Sequence, residues 1–382
     1  MKIALVSPYD WAVAGGVNRH CAHLRDQFVA RGHHVRIAAP ASKRIDDPDV
    51  ERIGKRPLSL PASGSLARIS LSLTLAPAVR RLLSEEQFDI VHVHEPFMPV
   101  LPIHFLRYSE AVNVGTFHAT RDKPQFFYMW GRRHIRRWLR RLDGKIAVSN
   151  AAARFVEEYF PGYYNIIPNG VDVERFSARA APLPQYQDSK LNILFVGRPE
   201  KRKGLEYLVR AFARVKARQP ETRLIVVGAG KFERYRRMAR SLGLTDVEFC
   251  SYVSEEELPR YHRSAHVFCA PATGFESQGI VLLEAMAAGL PLVASNIDGY
   301  AGVFTHGVEG LLVLPGDEAV LADALLELLS DPERRRSMAE QGQARAQEFG
   351  WERVSQQILS YYERLLHERG IAALDREPVR VG

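Results

Sequence analysis

HVFCAPATGFESQGIVLLEAMAAG, residues 266–289, joins a short apolar run, a turn of small and polar residues, and a second, longer apolar run. The first run, at residues 266–270, predicts a strand buried on both faces. The turn, which contains Glu276, and the apolar segment after it predict a helix that contains Glu284. A fully apolar strand followed directly by a helix is typical of a parallel sheet, so this stretch favours an α/β fold.

The same pattern recurs along the whole chain and divides it into two halves. Predicted strands lie at residues 2–6, 34–39, 89–94, 113–117 and 145–148, then at 191–197, 223–228, 247–249, 266–270, 291–295 and 310–314, with predicted helices at 204–218 and 317–329. Each half predicts a doubly wound, Rossmann-like domain. The segment RAAPLPQYQDSK, residues 179–190, lacks periodicity and predicts the linker. We therefore expect domains at residues 1–180 and 190–354, with a final helix at about 355–370.

The composition is that of a globular protein with an uneven distribution of charge. The 382 residues are 46% hydrophobic and 25% charged, which excludes an extensively disordered chain. Residues 1–189 carry 26 Lys and Arg against 18 Asp and Glu, whereas the rest carry 26 of each kind, so the net charge of +8 is N-terminal. A positively charged half of this kind is suited to binding nucleic acid, an anionic membrane or a phosphorylated substrate.

Cysteine usage and hydropathy predict a cytoplasmic protein. Cys21, Cys250 and Cys269 are far apart and form no motif, which argues against a disulfide framework or a zinc site. No uncharged stretch approaches the ~18 residues of a membrane span.

Polar residues follow the predicted strands, where open α/β sheets bind ligands. Gly15 and Gly16 precede the first helix, whose N-terminal amides could face an anion. The same pair of glycines is also typical of an ordinary turn. His92 and His94 share one face of a predicted strand, which would suit a metal pair or two buried, hydrogen-bonded histidines. The run offers no obvious third ligand, so we expect no metal. His118 lies past the end of the next strand, where a substrate could meet it.

The second half adds cations and carboxylates in the same kind of position. The run GRPEKRKG, residues 197–204, follows a strand, and its Arg198 and Lys203 could hold a diphosphate unless the loop is merely solvated. Glu284 interrupts an apolar helix, so it needs a partner, either the hydroxyls of a ribose or a core Arg or His. Glu276 precedes that helix and could face the transferred group of the same ligand.

Three motifs carry a resemblance to a known family: Glu276-x7-Glu284 followed by AMAAG, GR-x4-KG at residues 197–204, and IPNGVD at residues 167–172. With them, the whole chain resembles the retaining family 4 glycosyltransferases of the GT-B fold, in which the final helix crosses back to the N-terminal domain. The runs PYDWAVAGGV, HVHEP, GTFHAT and VLLEAMAAG are most similar to those of bacterial phosphatidyl-myo-inositol mannosyltransferases.

The resemblance implies roles for individual residues. Arg198 and Lys203 would bind the donor diphosphate, the Gly16 amide its distal phosphate, and Glu284 the ribose. Glu276 and His118 would contact the transferred sugar. The expected donor is GDP-mannose, with a UDP-sugar second, and the two cations would make a metal ion unnecessary. The remaining donor-binding residues would be Gly279, Ile280 and Val281, and the acceptor-binding residues Tyr9, Asn18, Arg68, His118 and Lys123.

Much of the basic excess lies in GRRHIRRWLRRLDGK, residues 131–145. At ~100° per residue its arginines occupy about half of a helix, opposite Ile135 and Trp138. This predicts either a basic face on an anionic membrane or an ordinary domain helix with a solvated side. We expect a lipid-linked acceptor at the inner membrane face, with a soluble sugar or inositol phosphate as the alternative and no obligate protein partner. A nucleic-acid-binding protein is a further alternative, but it leaves Glu276 and Glu284 unexplained. The residues of the predicted membrane surface are Arg80, Arg81, Arg132, Arg133, Arg136, Arg137, Arg140 and Arg141.

Overall fold

The computed structural model describes residues 1–13, 15–55, 57–62, 65–120, 126–177 and 180–374. The chain forms two compact units. Unit 1 comprises Met1–Asn169 together with the chain from Trp351 onward, and unit 2 comprises Gly170–Gly350.

The boundary between the units precedes the segment that the composition marks as a linker. Leu183 and Tyr186 are 7% and 5% exposed and belong to the core of unit 2. The Leu183 amide donates to Ser264 Oγ at 2.8 Å, and the Tyr186 hydroxyl donates to Glu248 Oε2 at 2.8 Å. Two apolar anchors therefore attach a proline-rich segment to the second unit, which its lack of periodicity does not reveal.

Unit 1 is built on a parallel sheet. Its strands are β1 (Lys2–Val6), β2 (His34–Ala39), β3 (Val50–Arg52), β6 (Ile90–His94), β7 (Val112–Phe117), β8 (Gly144–Ala147) and β9 (Asn165–Ile166), and a separate antiparallel hairpin is formed by β4 (Leu58–Ala62) and β5 (Ser65–Ile69). The sheet order is β3-β2-β1-β6-β7-β8-β9, so the order reverses between β1 and β6. The carboxyl ends of these two strands mark the switch point, where such sheets bind ligands.

Helices cover both faces of this sheet. They are α1 (Gly16–Ala30), α2 (Ala76–Glu86), α3 (Leu101–Tyr108), α4 (Phe126–Leu139), α5 (Asn150–Tyr159) and the final helix α14 (Trp351–Leu374), and a 3-10 turn at Leu73–Leu75 leads into α2. As predicted, the final helix returns to the first unit, where Val354, Ile358 and Tyr362 are buried in its core. The Tyr362 hydroxyl bonds to His92 Nδ1, and the Tyr361 hydroxyl accepts from the Lys145 amide at 3.1 Å.

Unit 2 repeats the design. Its strands are β10 (Leu191–Val196), β11 (Thr222–Val227), β12 (Val247–Cys250), β13 (Val267–Ala270), β14 (Leu292–Ser295) and β15 (Gly310–Val313). Its helices are α6 (Val173–Phe176), α7 (Leu205–Arg218), α8 (Glu233–Ser241), α9 (Leu258–Arg263), α10 (Ile280–Ala287), α11 (Asp298–Ala301), α12 (Glu318–Ser330) and α13 (Pro332–Gln347), with 3-10 turns at Pro184–Tyr186 and Lys201–Lys203. The parallel order β12-β11-β10-β13-β14-β15 places the switch point between β10 and β13.

The prediction of two doubly wound, Rossmann-like sheets is confirmed. In the described part of the chain, no helix combines the length and apolar composition needed to cross a membrane.

Candidate active site

At the switch point of unit 2, two loops bring charged side chains together. Lys203 Nζ, from the loop after β10, lies 2.7 Å from Glu276 Oε1, from the loop after β13. Arg202 Nη1 donates to the same oxygen and to the Phe275 carbonyl oxygen, the latter at 3.1 Å. The side chains of Glu276, Lys203 and Arg202 are 10%, 15% and 16% exposed, so the ion pairs are largely shielded from water. We call Glu200, Arg202, Lys203 and Glu276 the charged cluster.

Glycines allow these two loops to approach each other. Gly204 has φ +70, and a Cβ there would lie 1.8 Å from the Pro271 carbonyl oxygen. A Cβ on Gly299 would lie 1.8 Å from the Glu276 carbonyl oxygen. Phe275 has φ 59, a conformation that non-glycine residues rarely adopt. The Glu276 loop is therefore held in a strained, closely packed form, as is common at functional sites.

Arg198 stands at the rim of the charged cluster. Its side chain is 53% exposed, and Nη2 lies 3.1 Å from Glu200 Oε1. Glu200 Oε2 also accepts from Arg202 Nε at 2.8 Å. One exposed guanidinium beside a largely buried ammonium can bind a diphosphate, since both lie at the carboxyl end of β10.

The remaining predicted donor residues lie on the following helix. Gly279 is the N-cap of α10 and has φ +75, and Ile280 and Val281 form the first turn of the helix. Glu284 lies one turn further and is 6% exposed among apolar neighbours. The charged cluster and the start of α10 thus lie on one side of the unit 2 switch point.

At the switch point of unit 1, the predicted residue His118 joins two other histidines. His94, at the end of β6, contacts it through a hydrogen bond of 2.9 Å between His94 Nδ1 and His118 Nε2. His20, from α1, has its ring centroid 5.2 Å from that of His94 and 4.9 Å from that of His118. Burial lowers the pKa of His118 to about 4 and the pKa values of His20 and His94 well below 6.5. We call these three neutral rings the imidazole cluster.

His92 does not pair with His94 around a common site. Its Nδ1 bonds to the Tyr362 hydroxyl, and its Nε2 bonds to Thr116 Oγ1 at 2.6 Å. Burial lowers the pKa of His92 to about 3. Of the two interpretations of the strand, the buried, hydrogen-bonded histidine therefore applies to His92.

Glu95 fixes the backbone that carries His118. Its Oε1 accepts the amide protons of His118 and Ala119, both at 2.8 Å. Glu95 has φ 50 and is 5% exposed. Burial raises the pKa of this carboxyl to about 7, although the two amide donors act in the opposite direction.

The loop after β1 is braced by its own side chains. Asn18 donates through Nδ2 to the Asp10 and Val13 carbonyl oxygens and accepts from Ser7 Oγ at 2.6 Å. Burial raises the pKa of Tyr9, and the nearby Glu95 carboxylate adds to that effect.

Asp10 links this loop to the hairpin of unit 1. Its fully buried carboxylate lies 3.4 Å from Arg68 Nε on β5, and Oδ1 accepts the Ser42 amide at 2.8 Å. Gly16 is the first residue of α1, and an added Cβ there would meet nothing within 4 Å, so an anion has room at this helix start. Lys123, the other predicted acceptor residue, lies outside the described residues.

Helix α4 has its apolar side in the core of unit 1. Ile135 is 5% exposed, and Trp138 and Leu139 pack on the same core. The helix ends at Leu139, earlier than the sequence pattern indicates, so Arg140 and Arg141 follow it. Six arginines of this segment are exposed: Arg132, Arg133, Arg136, Arg137, Arg140 and Arg141.

Several of the predicted surface arginines have partners within the unit. Arg141 donates to the carbonyl oxygens of Leu106 and Ser109 at 2.9 and 2.6 Å. On α2, Arg80 lies over the Tyr108 ring at 4.2 Å, and Arg81 contacts Glu51 at 3.3 Å. In the second half of α4 the apolar side chains Ile135, Trp138 and Leu139 are thus already packed on the core, whereas Met129 in the first half is 49% exposed.

The sequence reasoning assigned no role to Arg202, Glu95, Asp10 or His20. Arg202 lies inside the basic loop and Glu95 inside HVHEP, so their positions in motifs were the available signals. Asp10 likewise lies inside PYDWAVAGGV, whereas His20 has no such signal, because the rings that it contacts follow from other elements of the sheet.

Two family models match the chain. Residues 14–175 match the model described as Glycosyltransferase Family 4, and residues 184–345 match Glycosyl transferases group 1. The phosphatidyl-myo-inositol mannosyltransferase of Mycobacterium leprae is 37% identical over 364 residues, which is 95% of this chain and 96% of that protein.

Solved structures resemble the chain over nearly its full length. Sucrose-phosphate synthase from Thermosynechococcus elongatus has a TM-score of 0.78 at 23% identity, over 96% of this chain and 99% of that one. The Anabaena protein HepE, solved with UDP and glucose, has a TM-score of 0.74 at 20% identity, over 95% and 100%. At these identities, the likeness establishes the fold alone.

Proposed function

Since the chain belongs to family 4 of the glycosyltransferases and has the GT-B fold, we propose that it transfers mannose from GDP-mannose to a phosphatidylinositol acceptor. The anomeric configuration of the sugar would be retained. The charged cluster carries this proposal, because it places Lys203 and Arg202 on Glu276 beside the exposed Arg198. The similarity to a phosphatidyl-myo-inositol mannosyltransferase supports the choice of sugar and acceptor.

The donor's diphosphate would be bound by Arg198 and Lys203. Lys203 and Arg202 both pair with Glu276, so a bound diphosphate would compete for Lys203 while Arg202 keeps Glu276 in place. Glu276 can then accept hydrogen bonds from the sugar hydroxyls, and Glu284 from the ribose.

The chemical step exchanges one bond for another at the anomeric carbon. An acceptor hydroxyl oxygen bonds to that carbon as the bond to the donor phosphate oxygen breaks. The departing phosphate oxygen takes the hydroxyl proton, so no basic side chain is needed. Arg198 and Lys203 stabilise the negative charge that develops on the leaving diphosphate, and each preorganised donor of this kind contributes about 3 kcal/mol. In this proposal the cations do the work of a metal ion, and the transfer proceeds without one.

Contact with an anionic membrane at the inner face of the cell would use the arginines around α4. Arg132, Arg133, Arg136 and Arg137 are exposed, whereas Ile135, Trp138 and Leu139 on the opposite side of the helix pack on the core. Each cation near an anionic surface contributes about 1 kcal/mol, and salt weakens the attraction. We therefore expect peripheral, electrostatic binding without insertion of the helix.

A thermal-shift screen with GDP-mannose, GDP-glucose, UDP-glucose and UDP-N-acetylglucosamine tests the donor. A bound donor at 100 times its Kd stabilises the protein by about 2.7 kcal/mol. We expect the largest shift with GDP-mannose, and its loss in Lys203→Ala but not in Lys201→Ala, an exposed neighbour in the same loop. A larger shift with UDP-sugars would overturn the choice of base.

A transfer assay with labelled donor tests the acceptor. Vesicles that contain phosphatidylinositol should become labelled, and added salt should reduce the rate. Free inositol phosphate as the preferred acceptor, or vesicles that neither bind nor activate the protein, would favour the soluble alternative. With either acceptor, Glu276→Ala should abolish transfer while the circular dichroism spectrum stays unchanged. Glu206→Gln on α7 serves as a matched control.

A further inference from the structure

The imidazole cluster brings three rings from three elements of unit 1 to one point. His20 lies on α1, His94 ends β6, and His118 follows β7. One ring nitrogen from each of them lies within 4.8 Å of the other two. His20 is 3% exposed, His94 is fully buried, and His118 is half-buried, so His118 is the member that solvent reaches.

The hydrogen bonding of these rings differs from that of the neighbouring His92. Both ring nitrogens of His92 have partners, Tyr362 and Thr116. Within the described residues, both ring nitrogens of His20 lack a hydrogen bond of normal geometry, although they are buried. Asn169 lies near the rings of His20 and His118 and partly offsets the effect of burial on them. Buried polar atoms without partners are rare and need an explanation.

The protonation state of the cluster suits a metal ion. All three rings lie largely away from water, and burial disfavours the charged imidazolium form. Neutral imidazole is the form that binds metal ions. Three nitrogen donors with no carboxylate among them favour late first-row ions such as Zn²⁺ over Mg²⁺ or Ca²⁺.

Binding of a metal ion would need only small shifts of the three imidazole rings. Zn–N bonds of about 2.0–2.1 Å place tetrahedral ligand atoms roughly 3.4 Å apart. Ring nitrogens within 4.8 Å can close to that spacing through movements of about 1 Å or less in each ring. The bond between His94 and His118 is no obstacle, because a neutral ring can carry its proton on either nitrogen. A tautomer change frees the facing lone pairs with no net release of protons.

We propose that His20, His94 and His118 form a binding site for a Zn²⁺-class transition-metal ion, with a fourth position for water. His118 is also the residue predicted to contact the transferred sugar, so a bound ion would remove that contact and inhibit transfer. The inhibition rests on the proposed function, whereas the metal binding does not. Through this site, the concentration of the free metal ion would regulate a reaction that itself needs no metal.

Titration of the tag-free, metal-stripped full chain with Co²⁺ tests the binding. We expect the visible ligand-field absorption of tetrahedral Co²⁺, saturating at one ion per chain and abolished by one equivalent of Zn²⁺. No such absorption, combined with no stoichiometric binding of Zn²⁺ by calorimetry, would overturn the proposal. This measurement on the unaltered chain needs no variant to fold.

Two variants on the same helix locate the ion. His20→Gln should weaken Co²⁺ and Zn²⁺ binding by at least about tenfold, because it removes a ligand. His23→Gln is the matched control, since His23 stacks on Trp351 at 4.9 Å and lies outside the cluster. Binding that survives His20→Gln, or that is lost in His23→Gln, would place the ion elsewhere and overturn the assignment.

The transfer assay tests inhibition separately. Zn²⁺ should inhibit the unaltered chain, and His20→Gln should raise the half-inhibiting concentration at least about tenfold, with each variant's inhibition measured relative to its own rate without Zn²⁺. Stoichiometric binding without inhibition would overturn the regulatory part. If no donor supports transfer at all, the proposed function fails, but the Co²⁺ result still decides the metal site.

Discussion

Units 1 and 2 build their loops on parallel sheets of the same design, but from opposite kinds of side chain. In unit 2 the loops after β10 and β13 meet through full charges, with Lys203 and Arg202 on one oxygen of Glu276. In unit 1 the loops after β6 and β7 meet through His94 and His118, which burial keeps neutral. The first set of side chains is suited to an anion, and the second to a neutral group with hydrogen-bonding hydroxyls. A donor diphosphate and a sugar hydroxyl need these two chemistries respectively.

Among variants that keep Glu276, the largest effect should follow from removing a cation of the charged cluster. Lys203→Ala should lower kcat/KM for transfer by about 100-fold, or about 3 kcal/mol, because a preorganised positive donor is lost. Lys201→Ala, in the same loop but exposed, should change it little. Steady-state kinetics with both variants measure the difference. Equal losses in the two would mean that the loop acts by general charge, not through the Lys203–Glu276 contact.

Unit 2 also contains a buried, neutral imidazole, that of His262, and its effect on the pH dependence of stability can be measured. Burial lowers the pKa of His262 to about 4, and its ring lies between Phe176 and Phe268. Since the unfolded chain binds this proton near pH 6.5, stability is full above that pH and falls as pH drops toward 4. From pH 7 to pH 5 the loss should be about 2 kcal/mol.

His262→Phe should remove most of this acid dependence. Urea titrations followed by circular dichroism at the two pH values measure it. All four tryptophans (Trp11, Trp130, Trp138 and Trp351) lie in unit 1, so their fluorescence monitors that unit as an internal control. An unchanged pH dependence in the variant would show that other groups account for the acid sensitivity of unit 2.

Two variants of Glu95 test whether the negative charge of this carboxylate is required in unit 1. Glu95→Ala leaves the His118 and Ala119 amides without their acceptor and should cost about 1.5 kcal/mol of stability, with a fall in transfer. Glu95→Gln keeps an oxygen that can accept both protons, so it should restore most of the stability and transfer. Thermal unfolding and kinetics are the readouts. Failure of Gln to rescue would show that the negative charge itself is required.

The smallest effect should come from the residue that positions Glu276. Arg202→Gln should lower kcat about fivefold, or about 1 kcal/mol, with little change in KM, because Lys203 still holds one side of Glu276. Arg210→Gln on α7, whose guanidinium contacts Glu318, is the matched control. A rise in KM with unchanged kcat would instead make Arg202 a direct ligand of the donor.

The sequence predicts most of the fold because buried parallel strands are apolar along their length. The predicted strands at residues 2–6 and 34–39 coincide with β1 and β2. Short strands escape this reasoning, since β3 and β9 have three and two residues and show no usable period. The hairpin of β4 and β5 was also not predicted, although it places Arg68 beside Asp10.

The candidate site could be predicted only where motif and strand end coincide. Arg198, Lys203, Glu276 and His118 follow strands directly, so sheet topology is enough to place them. The pairing of Arg202 with Glu276 joins residues 74 positions apart. His20 lies on α1, between β1 and β2, whereas the His94 ring that it contacts lies at the end of β6. Such contacts depend on which strands are neighbours, and local periodicity does not contain that information.

The final helix has a consequence for synthesis on the ribosome. Unit 2 is continuous in sequence, from Gly170 to Gly350, and can complete its contacts as soon as that segment has emerged. The sheet of unit 1 cannot, because Val354, Ile358 and Tyr362 of α14 cover it and Tyr362 bonds to His92, 270 residues earlier. Unit 1 therefore cannot complete its core before α14 has been synthesised, and until then the face of its sheet that α14 covers lacks that partner.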